Sequence, residues 1–192
     1  AWEQQGFAAG FAAALATPAY RLGALSPQGL PQAEAAAAAF RQGAIYYCGL
    51  CNPIDPPYLD YPLIVPITAD GSDLAAGFSE LASAAVRTVY LPDPALADAA
   101  LPLAAENGMQ LVGPRLADPA LASAWLASVR ADPASVLRDE WPNLLNGILA
   151  GSRPMRLRIA DANPDSLTAG KLAFFAEFQT SLETGLISTA TE

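Results

Sequence analysis

The sequence predicts an α/β fold, a three-layer sandwich built on a mainly parallel sheet of about five strands. Three observations predict it. Alanine-rich helical stretches alternate with short aliphatic or β-branched runs, and Pro, Gly and Asp punctuate the junctions between them. The segments between the runs are also long enough for the helix of about a dozen residues that a right-handed parallel crossover requires. With 53% hydrophobic residues over 192 positions, the chain suits one domain that buries about 70% of the surface its unfolded state exposes. No charged, Ser-rich or Gly-rich linker divides it, so residues 1–192 read as a single α/β domain.

The elements follow in order. A first helix runs from Trp2 to Ala16, where Phe7, Phe11 and Leu15 recur at the four-residue spacing of one helical face and Thr17-Pro18 stops it. Tyr20 to Leu25 is a strand, Ser26 to Pro31 a turn, and Gln32 to Gly43 a helix on the strength of its alanine run. Tyr46 to Pro57 reads as irregular. Leu63 to Thr68 is the second strand, and Ala69-Asp70-Gly71-Ser72-Asp73 supplies a turn and an N-cap for a helix reaching Ala85. Arg87 to Leu91 is the clearest buried strand. Asp93-Pro94 opens a helix to Glu106, Asn107-Gly108 ends it, and Met109 to Gly113 is the fourth strand. Asp118-Pro119 and Asp132-Pro133 each place Asp before Pro at the head of an apolar-periodic segment, so both read as helix N-termini; the second helix extends to Ala150 and closes at Gly151. Met155 to Ala160 is the last strand, and Asp165 to Leu186 a terminal helix.

Charge narrows the partners. Nineteen acidic against ten basic residues give a net charge of −9, and the densest basic run, Arg153 to Arg158, carries three arginines. Nucleic-acid binding needs clustered positive charge, so nucleic acid is excluded as a partner and the run reads as a strand with solvent-facing arginines. An anionic membrane surface would repel the chain. The sequence contains no His, which removes Ser-His-Asp and Cys-His catalysis and imidazole-bearing zinc sites. The longest apolar stretches, Gly6 to Ala16 and Ala33 to Phe40, fall short of the about 20 residues of a transmembrane helix. The N-terminus lacks the basic region of a secretory signal, which either never existed or was removed.

Tyr47-Cys48-Gly49-Leu50-Cys51 is similar in pattern to a redox CxxC. Such a motif must sit at a helix N-terminus, where the dipole lowers the first thiol's pKa; here it follows a helix and leads into Asn52-Pro53-Ile54-Asp55-Pro56-Pro57. A zinc half-site lacks its second pair of ligands. A local Cys48–Cys51 disulfide stapling a Pro-rich loop fits better, with two free thiols as the remaining alternative. A close Cys pair without companion ligands favours an oxidising, extracytoplasmic compartment. Asp55, Asp60, Asp70 and Asp73 cluster in sequence without the convergence that paired-carboxylate catalysis or a calcium loop needs. Trp2, Trp125 and Trp141 are too dispersed for a stacking platform. No metal, cofactor or enzymatic reaction is expected.

Gly6-Phe7-Ala8-Ala9-Gly10-Phe11-Ala12-Ala13, then Arg21-Leu22-Gly23-Ala24-Leu25, then Ala39-Phe40-Arg41-Gln42-Gly43-Ala44 resembles the middle of basic-membrane-protein-type solute-binding proteins. There, a Gly-aromatic-x-Ala-Gly-aromatic helix enters the second lobe, a Gly-containing strand follows, and the next helix ends in Phe-x-x-Gly-Ala. Leu111-Val112-Gly113 and the Asp132 to Gly151 helix extend the likeness to about two thirds of the chain. The resemblance implies one lobe of a type I periplasmic-binding-protein fold, capturing a small polar solute such as a nucleoside or sugar for an ABC importer. Three features depart from the pattern: no first lobe precedes Ala1, Ser26-Pro27 replaces the glycine pair after the first strand, and the CxxC and Pro-rich segment is additional. The chain is then either a fragment of a larger binding protein or a solitary lobe.

A ligand on an open parallel sheet lies at the carboxyl ends of its strands. Those ends carry Ser26 and Gln28, Thr68 and Asp70, Asp93, and Arg115. Gln28 and Asp93 suit a sugar or base and Arg115 an anion; ordinary loop chemistry is the competing account of each. The alternative function is a structural or assembly subunit bound to a protein partner, with the Trp2 helix and Tyr46 to Tyr61 buried against another chain.

Overall fold

The six residues from Leu22 to Pro27 are buried without exception, the pattern of a parallel strand covered on both faces. They form β1 of a computed structural model that describes residues 2–148, 151 and 155–187. The helices are α1 (Trp2–Ala16), α2 (Pro31–Cys48), α3 (Leu74–Ser83), α4 (Ala97–Glu106), α5 (Pro133–Leu145) and α6 (Ala169–Glu183). The strands after β1 (Leu22–Pro27) are β2 (Leu63–Ile67), β3 (Thr88–Tyr90), β4 (Gln110–Gly113), β5 (Trp125–Ala131) and β6 (Leu157–Ala160). They hydrogen-bond in the order β2-β1-β3-β4-β5-β6, parallel up to β5, with β6 antiparallel at the edge.

This is the α/β sandwich with a mainly parallel sheet that the sequence predicts, enlarged by one strand. Right-handed crossovers decide the layers. The path from β1 to β2 moves one way across the sheet and the path from β2 to β3 moves back, so α2 and α3 lie on opposite faces. α1 and α6 share the face of α2, and α4 packs beside α3.

The additional strand is β5, which occupies part of the segment expected to be a helix after Asp118-Pro119. Asp118 does cap a turn, its carboxylate accepting from Ala120 N at 2.8 Å, but the turn is a 3-10 helix that ends at Ala124. From Trp125 to Val129 every residue is buried, because the slot between β4 and β6 demands apolar side chains on both faces and overrides the helical preference of alanine and leucine. The buried Trp125 indole donates to the Ser128 hydroxyl, which donates in turn to Asp161. The second Asp-Pro behaves as expected, Asp132 accepting from Ser135 N at the start of α5. That helix ends at Leu145, and Ala150, its expected end, lies outside the described residues. Further differences are in length: α2 starts at Pro31 and continues through Tyr46 to Cys48, into a stretch expected to be irregular.

Among the described glycines the closest backbone approaches lie at the crossing of α1 on α2. A Cβ built on Gly6 would stand 2.1 Å from the Ala36 carbonyl oxygen, one on Gly10 1.9 Å from that of Phe40, and one on Gly43 1.8 Å from that of Phe7. Glycine is required at all three because backbone meets backbone. Around this crossing an aromatic cluster closes the layer: the Phe11 and Phe178 rings stack at 3.7 Å between centroids, with Phe7, Tyr46, Tyr47, Phe174 and Phe175 about them.

Gly10→Ala and Gly43→Ala are each expected to lower stability by about 3 kcal/mol or more in urea unfolding, since the opposing carbonyls cannot move without separating the helices. Gly29, at φ +76° with nothing within 4 Å of a built Cβ, is the control: Gly29→Ala loses only about 1 kcal/mol, the conformational penalty alone.

Candidate functional site

The strand order places the topological switch between β1 and β3. The chain leaves β1 for α2 on one face and leaves β3 for α4 on the other, so the two connections diverge at the carboxyl ends, the place where open α/β sheets take their ligands. Ser26 and Gln28 stand on the β1 side of that divergence and Asp93 on the β3 side. Asp70 lies beyond β2 on the outer flank, and Arg115 just past β4. The structure therefore gathers Ser26, Gln28 and Asp93 at the switch and holds Asp70 and Arg115 to either side.

Each group also has a local task. The Gln28 amide N–H donates to the Ile67 carbonyl at 2.8 Å, extending the pairing of β1 with β2, and its side-chain amide donates to the Ser26 carbonyl at 3.2 Å. The Asp93 carboxylate accepts from Ala95 N at 2.9 Å, capping the 3-10 turn ahead of α4. Arg115 pairs with Asp98 at 2.8 Å, with 40% and 70% of the two side chains exposed, a pairing worth at most about 1 kcal/mol. The Ser26 hydroxyl, on a residue only 4% exposed, makes no hydrogen bond to a described residue. Ser26, the second carboxylate oxygen of Asp93 and the side-chain oxygen of Gln28 are thus the groups left to meet a ligand.

After β2, Asp70 and Asp73 organise the turn. Asp73 accepts from the Thr68 amide and the Thr68 hydroxyl, both at 2.8 Å, and Asp70 from Ser72 N at 3.0 Å. These bonds hold both carboxyls below the ordinary aspartate value, the bond from Ser72 N contributing most for Asp70 and that from Thr68 N most for Asp73.

Cavities lined by described residues open elsewhere. One of about 400 Å³ lies between α5, the start of β6 and the end of α6, lined by Asp139, Glu140, Arg156 and Glu183 among others. A larger one, about 500 Å³, lies at the amino ends of β1, β3 and β4, where Arg21, Arg87, Thr88, Gln110 and Ser166 converge. The sequence reading passed over these residues. Their one legible signal is that a cation stands immediately before two buried strands, Arg21 before β1 and Arg87 before β3.

Cys48 and Cys51 are joined in a disulfide. Cys48 is the last residue of α2, where the dipole disfavours a thiolate. Among the described residues no group of three or more His, Cys, Asp or Glu is placed to hold a metal ion, and no described helix is long and apolar enough to cross a membrane. The Trp2 helix is internal, with most of its residues buried. The Tyr46 to Tyr61 stretch instead exposes Tyr46, Leu50, Ile54 and Tyr58, while Tyr61 is buried and donates from its hydroxyl to the Ala84 carbonyl.

The chain is a doubly wound α/β fold on a six-stranded, mainly parallel sheet with its switch point between β1 and β3. No family model matches it, and no curated protein matches it.

The two turn carboxylates have a pH consequence. Their folded pKa values lie below the ordinary 3.8, so the stability they contribute is present above the unfolded value and is lost as pH falls through the folded ones. Carboxyl NMR titration is expected to place both midpoints below 3.8, with amide protection of Thr68 and Ser72 falling in the same acid window. Asp73→Asn should remove the Thr68 response.

Proposed function

We propose that this chain is a non-catalytic solute-binding-protein-like module, holding a small hydroxyl-rich solute such as a nucleoside or sugar between the carboxyl ends of β1 and β3. One observation supports the reading: the β2-β1-β3 order brings Ser26, Gln28 and Asp93 to the carboxyl ends of neighbouring strands at the switch point, where open α/β sheets take their ligands. Three such groups suit the ring hydroxyls of a sugar, which both donate and accept. The likeness of the Gly6 to Ala44 segment to basic-membrane-protein-type binding proteins supports the same class, with delivery to an ABC importer as the role. The Cys48–Cys51 bridge supports an extracytoplasmic setting.

A second reading, an assembly subunit, is favoured by α5. None of its residues is buried, and Leu137, Trp141, Leu144 and Leu145, followed by Ile148, are 40–71% exposed. Their spacing makes one apolar stripe, a feature of interaction surfaces.

Backbone NMR with uridine, ribose and glucose at millimolar concentration separates the two. Solute binding moves the amides of Ser26, Gln28, Gly29, Leu30, Leu91, Asp93 and Ala95 saturably, and Asp93→Ala combined with Gln28→Ala abolishes the movement. If no solute in a broad nucleoside and sugar panel moves them, and sedimentation instead shows self-association or partner binding that Trp141→Glu dissolves, the assembly role replaces the binding role.

A further inference from the structure

The opposite end of the sheet holds chemistry that the proposed solute site does not use. The cavity there, about 500 Å³, is within the size range of small-molecule sites, about 300–1,000 Å³. Arg21, the residue before β1, anchors its wall: Nη2 donates to the Asp55 and Pro56 carbonyls at 3.2 and 2.8 Å. Its Nε is buried and has no acceptor. A buried donor of this kind is rare and needs an explanation, because leaving it unpaired is costly. Arg87, the residue before β3, lines the same cavity; its backbone N–H donates to the Arg21 carbonyl at 2.8 Å, and its guanidinium forms no hydrogen bond or ion pair with a described residue.

The remaining walls are fixed and already satisfied. The Thr17 and Thr88 hydroxyls share a hydrogen bond of 2.6 Å, and the Ser166 hydroxyl donates to the Gln110 side-chain oxygen at 3.0 Å. Lys171, the chain's one lysine, donates to the Ser166 carbonyl at 2.9 Å and lines an adjoining groove with Thr17, Tyr20 and Tyr47. Asp55 is the one carboxylate among the cavity's lining residues. On a chain of net charge −9, two arginines set against one carboxylate in the cavity lining, with Lys171 in the adjoining groove, invert the local sign, and such a pocket draws anions.

We infer that this amino-end cavity binds a small molecule bearing an oxyanion, a carboxylate or a phosphoryl group, engaged by Arg21 and Arg87, with its body along Thr88 and Gln110. Guanidinium groups suit either oxyanion because their planar N–H donors match paired oxygens.

Malonate and inorganic phosphate are the probes, each titrated against sodium chloride at matched ionic strength while the arginine Nε–H and backbone signals are followed by NMR. The expected result is a saturable shift of the Arg21 Nε–H and of the Thr88 and Gln110 amides with at least one probe. Saturation by malonate alone identifies a carboxylate ligand, and by phosphate alone a phosphoryl one. Arg87→Gln, at an exposed side chain, keeps the fold and weakens that binding tenfold or more. Linear shifts with both probes, shifts that chloride reproduces, or an affinity within twofold of the parent in Arg87→Gln overturn the assignment. The reporters lie at the other end of the strands from residues 26–30 and 91–95, so failure here and failure of the solute reading are read separately.

Discussion

Everything in this domain is referred to the contact of α1 with α2. Gly6 and Gly10 on one helix and Gly43 on the other let carbonyl oxygens reach positions that any side chain would occupy, so the two helices pack as a pair of backbones. Packing of that kind has no soft direction, since peptide groups do not change rotamer as side chains do. α1 runs into β1 through Thr17 to Arg21, and β1 runs into α2 through Gln28 to Leu30. One helix pair therefore fixes both ends of the same strand. The connection from α1 to β1 lines the amino-end cavity, and the connection from β1 to α2 lies at the switch point.

The aromatic cluster depends on the same contact. Phe7 and Phe11 emerge from the α1 turns that carry Gly6 and Gly10, and Tyr46 and Tyr47 follow the turn of α2 that carries Gly43. With the helix axes close, these rings meet Phe174, Phe175 and Phe178 of α6 in one contiguous cluster, in which Phe178 stacks on Phe7 and Phe11 and the other pairs meet tilted or edge-on. Docking of the last helix thus relies on glycines near the start of the chain. α5 has no such arrangement, and its apolar side chains stay exposed.

How much of this was legible in the sequence follows from where each signal is stored. Local punctuation was readable: Thr17-Pro18 ends α1, and Asp132-Pro133 begins α5, because caps and proline act within a few residues. β5 was not readable, because Trp125 to Val129 is a strand only by virtue of the slot between β4 and β6, and Leu-Ala-Ser favours helix when taken alone. The position of Ser26, Gln28 and Asp93 at the carboxyl ends of β1 and β3 could be placed from the strand pattern. The amino-end cavity could not, because its walls join residues 71 apart at Thr17 and Thr88 and 56 apart at Gln110 and Ser166. The pinning of Asp55 and Pro56 by Arg21 likewise depends on a loop whose course no local rule sets.

The two ends of the sheet differ in charge, and this limits what each can hold. Asp70, Asp73 and Asp93 ring the carboxyl ends, with Arg115 tied to Asp98, so an anion there meets repulsion and a neutral polyol meets acceptors. At the amino ends Arg21, Arg87 and Lys171 reverse the preference. A strand of six residues such as β1 separates the ends by about 20 Å, more than twice the about 8 Å over which physiological salt screens exposed charges. Each end therefore keeps its own electrostatic character, and an anion bound beside Arg21 neither competes with nor electrostatically assists a solute beside Asp93. Any coupling between them has to pass mechanically along the strands that join the two ends, β1, which follows Arg21 and carries Ser26, and β3, which follows Arg87 and precedes Asp93, and both ends of β1 are held by the same glycine-mediated crossing.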